Sequence, residues 1–179
     1  MDAIWTVIDE QRERVADLFA GLTDDQWAHR SLCAGWSVRD VGAHLTLQSQ
    51  SVGQVLFSTM RHPGSLNGVI ARSAQATARS LTTDQIVERQ RALIGNHRPN
   101  AFVTPNETLV DIVVHGLDVA VPLGIDIEVP DATALRVIEL LQGYRGTSKQ
   151  KVFGPIVAQP DESADQRQQI LALSGRTHP

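Results

Sequence analysis

Cysteine is almost absent from this chain. Cys33 is the only one among 179 residues, which excludes an intramolecular disulfide and any zinc cluster built from several thiolates. A basic surplus is missing too. Sixteen Lys and Arg stand against twenty Asp and Glu, for a net charge of −4 and a pI near 5.8, so neither nucleic acid nor an anionic membrane finds a cationic surface here. No apolar run approaches the roughly 20 residues that cross a bilayer. The opening Met1-Asp2-Ala3-Ile4-Trp5 has neither the basic stretch nor the apolar core of a secretory leader, and the expectation is a cytoplasmic protein. Strand-like alternation is scarce as well, with Ile125 to Val129 the one short candidate.

What is present is a helical pattern in an ordinary globular composition, 42% apolar and 20% charged with 4% aromatics. The length fits one domain over residues 1–179 with a substantial core. Residues 2–21 carry apolar positions at helical spacing through Ile4, Ile8, Val15, Leu18 and Phe19, and Gly21 ends them. Thr23 with Gln26 forms a capping-box pattern for a short turn ending near Trp27. Ser37 and Asp40 start a helix expected to reach about Met60, burying Val38, Val41, Leu45, Val52, Val55 and Leu56 before His62-Pro63-Gly64 breaks it. Residues 65–80, rich in Ala and Arg, read as helix. Thr82 with Gln85 opens another, to about Ile94 and Gly95.

The clearest start places Thr104 at N-cap, Pro105 at N1 and Glu107 at N3, for a helix ending before Pro122. Asp131 opens a helix through Leu135, Ile138 and Leu141 to Gly143. Phe153-Gly154-Pro155 and Pro160 suggest an extended C-terminal strap, followed by a short helix to about Leu173. The expected fold is all-α, a four-helix bundle with additional short helices.

Asp111 and His115 interrupt the apolar stretch Leu109 to Val121. A helix apolar on nearly every side lies inside a bundle, where a carboxylate and an imidazole are costly unless something satisfies them. Their i,i+4 spacing puts both on one face, about 5–6 Å apart at Cβ, so both can reach one cation. A second such pair is Asp40 with His44. Asp40 lies in the first helical turn, where capping the free amides accounts for it better than ligation does. His44 falls on the core side of its helix without a capping role. A buried imidazole there, or an Asp111–His115 ion pair, needs no metal. Taken together, His44, Asp111 and His115 supply two imidazoles and one carboxylate and leave coordination positions open, as in a catalytic site. Zn²⁺ is the default, with Ni²⁺, Fe²⁺ or Co²⁺ possible, whereas Mg²⁺ and Ca²⁺ prefer oxygen shells. Asp118 is either an acceptor for the second ring nitrogen of His115 or a polar residue near a helix end.

Three segments resemble a known family. Ser31-Leu32-Cys33-Ala34-Gly35-Trp36-Ser37-Val38-Arg39-Asp40-Val41-Gly42-Ala43-His44-Leu45 is similar to the amino-terminal signature of the mycothiol-dependent maleylpyruvate isomerase family, within the DinB-like superfamily of four-helix-bundle metalloproteins. Leu109 through Gly124 is similar to its second signature, and Ile170-Leu171-Ala172-Leu173-Ser174-Gly175-Arg176 to the tails of small actinobacterial members. The resemblance implies that His44, Asp111 and His115 are the metal ligands. The isomerase has glutamate where this chain has Asp111, and a shorter carboxylate still ligates. The isomerase also has an additional C-terminal domain, which a sequence of 179 residues is not expected to contain. The resemblance therefore implies a thiol S-transferase-type enzyme rather than maleylpyruvate isomerisation, with mycothiol or a similar thiol as co-substrate and an electrophilic small molecule as the other partner.

The chemistry follows from an open metal position, because a coordinated thiol becomes a thiolate at neutral pH. Metal-assisted hydrolysis, with hydroxide in that position, is the alternative within enzymes. A metal- or ligand-binding module without turnover is the alternative outside them. Cys33 reads as a small apolar residue packing beside Leu32 and Trp36. His62, His97 and His178 read as solvated, and Trp5, Trp27 and Trp36 as core anchors, Trp36 bordering the pocket. No sustained heptad chooses between monomer and homodimer.

Overall fold

In the computed structural model, the described residues are 3–50, 65–98, 100, 103–147, 149–150 and 163–176. They form eight helices: α1 (Ala3–Ala20), α2 (Asp24–Ala28), α3 (Val38–Leu45), α4 (Leu66–Ser80), α5 (Thr83–Arg91), α6 (Pro105–Ala120), α7 (Asp131–Gly143) and α8 (Gln166–Leu173). No strand occurs among them. Ile125 to Val129 is extended but unpaired, and a lone bridge joins Arg30 to Ser37. None of these helices is long and apolar enough to cross a membrane.

Local chemistry sets the boundaries. Reciprocal capping boxes open α2, α3, α5 and α6, each pairing a Ser or Thr hydroxyl with the side chain three residues on; each cap satisfies amides that helix geometry leaves free. At α6 the Thr104 amide donates to the Glu107 carboxylate at 2.7 Å, and Lys149 holds the other oxygen at 2.8 Å. The helix begun at Ser37 stops at Leu45, well short of Met60. There the Thr46 hydroxyl donates to the Ala43 carbonyl at 2.7 Å, and Leu47 and Gln48 take i,i+3 bonds that tighten the chain into turns. Val52, Val55, Leu56 and the Phe153–Pro160 strap lie outside the described residues.

Helix α1 buries Trp5, Ile8, Val15, Ala16 and Phe19 against α6 and α5, while α3 packs on α4, α5 and α6. Each such apolar side chain contributes about 1.5–3 kcal/mol. Helix α6 is buried on almost every side and is the axis of the bundle; α7 and α8 cover its remaining flank. Gly42 permits the closest approach, since a Cβ there would stand 2.9 Å from Phe19 and 3.0 Å from Trp27. Arg12 is buried in α1, and its Nη1 donates to the carbonyls of Leu93 and Asn96 at 2.7 and 3.0 Å, closing the turn after α5. His97 is not simply solvated. Its Nε2 meets Asp9 at 2.9 Å, and its ring stacks on Trp5, because the turn lays it on the α1 surface. His62 and His178 lie outside the described residues.

Candidate metal centre

Because α3 packs across α6, His44 meets the polar interruption of the apolar helix. His44 Nε2 lies 3.4 Å from Asp111 Oδ1, and His115 Nε2 lies 3.5 Å from the same oxygen. The two imidazoles stand edge to face with centroids 4.9 Å apart. Ligand atoms of the three residues all fall within 4.8 Å of one another. These separations are long for hydrogen bonds, which favour about 2.9 Å. Metal–nitrogen and metal–oxygen bonds of about 2.05 Å in a tetrahedron put neighbouring donors about 3.3 Å apart, and the two separations from Asp111 to the imidazoles lie close to that edge.

The surroundings hold two of the three side chains in place. Gln48 Nε2 donates to Asp111 Oδ2 at 2.9 Å, which leaves Oδ1 facing the imidazoles. His115 Nδ1 donates to Asp118 Oδ2 at 2.8 Å, so Nε2 carries the free lone pair. Of the two readings of Asp118, the structure shows the acceptor for the second ring nitrogen of His115. The Asp118 side chain is fully buried, and Arg176 holds it with Nε on Oδ1 at 3.0 Å and Nη2 on Oδ2 at 2.8 Å. Trp36 closes one side, its ring stacked at 9° to His115 and edge-on to His44. It is half-buried, whereas Trp5 and Trp27 are buried as core anchors.

The electrostatics favour a negatively charged cage. Burial pushes the Asp111 carboxyl up, but the facing His44, His115 and the Gln48 amide outweigh it and hold the group well below the usual carboxylate range. Asp118 behaves alike: burial opposes ionisation, and His115 and Arg176 more than restore it. Cys33 goes the other way. Burial first, then the nearby Asp118 carboxylate, push its thiol up to about 11, so it stays protonated and packs against the core with Leu32 and Trp36. Cys33, His115 and Asp118 also come within mutual reach. Arg176, however, already occupies both oxygens of Asp118.

Asp40 stays out of the cluster. Its Oδ2 accepts from the Ser37 amide at 2.9 Å and the Ser37 hydroxyl at 2.7 Å, the capping role its position predicts. Gln48 and Arg176 escaped the sequence reading. Gln48 stands four residues beyond His44, but a neutral amide there does not call for a partner. Arg176 fell within the tail that resembles small actinobacterial members, but nothing in its spacing tied it to Asp118. Two residues of the trio stay within reach of solvent, the side chains of His44 and Asp111 being 17% and 22% exposed. A closed structural metal site takes four protein ligands, and this trio offers three.

The family described as "Mycothiol maleylpyruvate isomerase N-terminal domain" matches residues 8–120, a span that contains all three members of the trio. No curated protein and no solved structure matches the chain significantly.

Proposed function

The chain belongs to the mycothiol maleylpyruvate isomerase N-terminal domain family, and on that premise we propose that it is a metal-dependent S-transferase-type enzyme. It activates mycothiol or a similar low-molecular-weight thiol for attack on an electrophilic small molecule. His44, Asp111 and His115 hold a divalent cation, Zn²⁺ first among candidates given two nitrogen donors and one oxygen. The observation that carries the reading is the trio itself: three donors within 4.8 Å of one another, two of them partly open to solvent.

A bound cation of this kind supplies Lewis acidity that turns a coordinating thiol into a thiolate at neutral pH. The chain's own residues do the rest. Asp111, kept ionised, contributes the negative charge that holds the cation. Gln48 and Asp118 keep the carboxylate and the His115 ring in their ligating orientations. Trp36 forms an apolar wall beside both imidazoles and keeps water from that flank. Such thiols are held reduced in the cytoplasm, the compartment this reading implies.

The test is a thiol-conjugation assay on the zinc-loaded protein with mycothiol and a panel of electrophiles. Product that needs both zinc and thiol, and disappears in His115→Ala, is expected. Turnover of esters or amides without added thiol would replace this reading with hydrolysis.

A further inference from the structure

Arg176 lies beyond the matched residues 8–120, yet its guanidinium ends inside the hydrogen-bond network of the trio. It arrives there by a defined route. Helix α8 closes with the Ser174 hydroxyl on the Ile170 carbonyl at 2.8 Å, and the Arg176 amide turns back to the Leu171 carbonyl at 2.8 Å. Nη1 then donates to the Ser174 carbonyl at 2.6 Å, and the other two nitrogens face Asp118. The guanidinium is pinned from both sides.

We propose that Arg176 is a positioning residue for the metal centre: its fork fixes the plane of Asp118, and Asp118 fixes His115 with Nδ1 protonated and Nε2 turned to the cation. This rests on the metal reading above. Asp118 has no solvent to orient it, so among the described residues its carboxylate is set by His115 and Arg176. A buried carboxylate bonded only to an imidazole can rotate and let the ring exchange tautomers. With Arg176 on both oxygens, Oδ2 has one direction left for the His115 N–H. A planar bidentate donor does this, and a lysine ammonium, a point charge, does so less well. The charge also balances. Arg176 compensates Asp118, which leaves Asp111 as the carboxylate whose charge is directed at the cation. The C-terminal tail thus completes a centre whose ligands all come from the matched segment.

The test compares Arg176→Met, Arg176→Lys and Leu173→Ala with the native chain in two measurements. One is Zn²⁺ affinity by chelator competition, and the other is the His115 ring tautomer by nitrogen NMR on zinc-free protein. Leu173 is buried at the same helix end and has no polar group for Asp118, so its truncation loosens tail packing only. Arg176→Met is expected to weaken Zn²⁺ binding about 10–100-fold, the usual effect of losing an outer-shell partner, and to show both His115 tautomers. Arg176→Lys recovers part of the affinity, and Leu173→Ala stays near the native value. Native affinity with a single Nδ1–H tautomer in Arg176→Met overturns the proposal, as does an equal loss in Leu173→Ala. If Arg176→Met does not fold, Arg176→Lys decides instead, and native behaviour in both measurements overturns the proposal. Failure of the metal reading looks different: His44→Ala and His115→Ala would then bind Zn²⁺ as the native chain does, while the tautomer measurement still judges the link from Arg176 to His115.

Discussion

A carboxylate oxygen 3.4 Å from one imidazole nitrogen and 3.5 Å from another is a poor hydrogen-bond acceptor for either and a good corner of a coordination polyhedron. That contrast supports the proposal that Asp111 is a metal ligand. Its second oxygen is held by Gln48, which yields a prediction at this scale. Gln48→Leu keeps the side chain's bulk but frees the carboxylate to rotate, and Zn²⁺ affinity by chelator competition should fall about tenfold with helix content unchanged. His44, Asp111 and His115 were each legible in the sequence because a charged or imidazole residue on an apolar face calls for a partner. Gln48 was not, because a neutral amide inside a helix pattern carries no such demand. Arg176 was read only as the end of a family-like tail, with no role assigned, because its partner lies 58 residues away.

At the scale of elements, the caps and the close crossings hold the site in register. Thr104, Pro105 and Glu107 start α6 as their order predicts, and they do so one turn before Asp111. Burial tends to raise the Glu107 carboxyl, but Lys149 and the Thr104 amide and hydroxyl outweigh it and leave the group below its ordinary value of 4.5. A depressed folded-state value means that the carboxylate stabilises the fold above the unfolded value and loses that contribution as pH falls through the folded one. Glu107→Gln should therefore be less stable than the native chain in denaturant titrations at neutral pH. The gap should close progressively below about pH 4.5. Gly42, on α3, is the tight point where side chains of α1, α2 and α5 converge. Gly42→Ala should cost about 1–3 kcal/mol by overpacking against Phe19 and Trp27, read as a lower denaturant midpoint. The end of α3 was misjudged from sequence because apolar residues continue at helical spacing past Leu45. The hydroxyl of Thr46 and the i,i+3 bonds after it redirect the backbone where periodicity alone would carry on.

Over the whole molecule, helices from both halves of the chain meet at one centre: α3 brings His44, α6 brings Asp111 and His115, and the tail after α8 brings Arg176. A ligand that binds only this folded arrangement must stabilise it by mass action. Free Zn²⁺ at about a thousand times its dissociation constant should add roughly 4 kcal/mol. For a chain of this length that raises the unfolding midpoint by roughly 8–16 °C. The rise should vanish with a chelator and be absent in His44→Ala. The all-α bundle itself was legible throughout, from helical periodicity, four capping boxes and the shortage of strand alternation. The short candidate at Ile125 to Val129 stayed unpaired because no neighbouring segment offers a partner edge among the described residues.

X-ray absorption at the zinc edge of the loaded protein tests the central claim most directly, because it reads the donor atoms around the ion. The account predicts a low-coordinate shell of nitrogen and oxygen at about 2.0–2.1 Å with the outer scattering of two imidazoles, and one zinc per chain. A sulfur neighbour at about 2.3 Å, which would bring Cys33 into the shell, or a shell without imidazole scattering would contradict it.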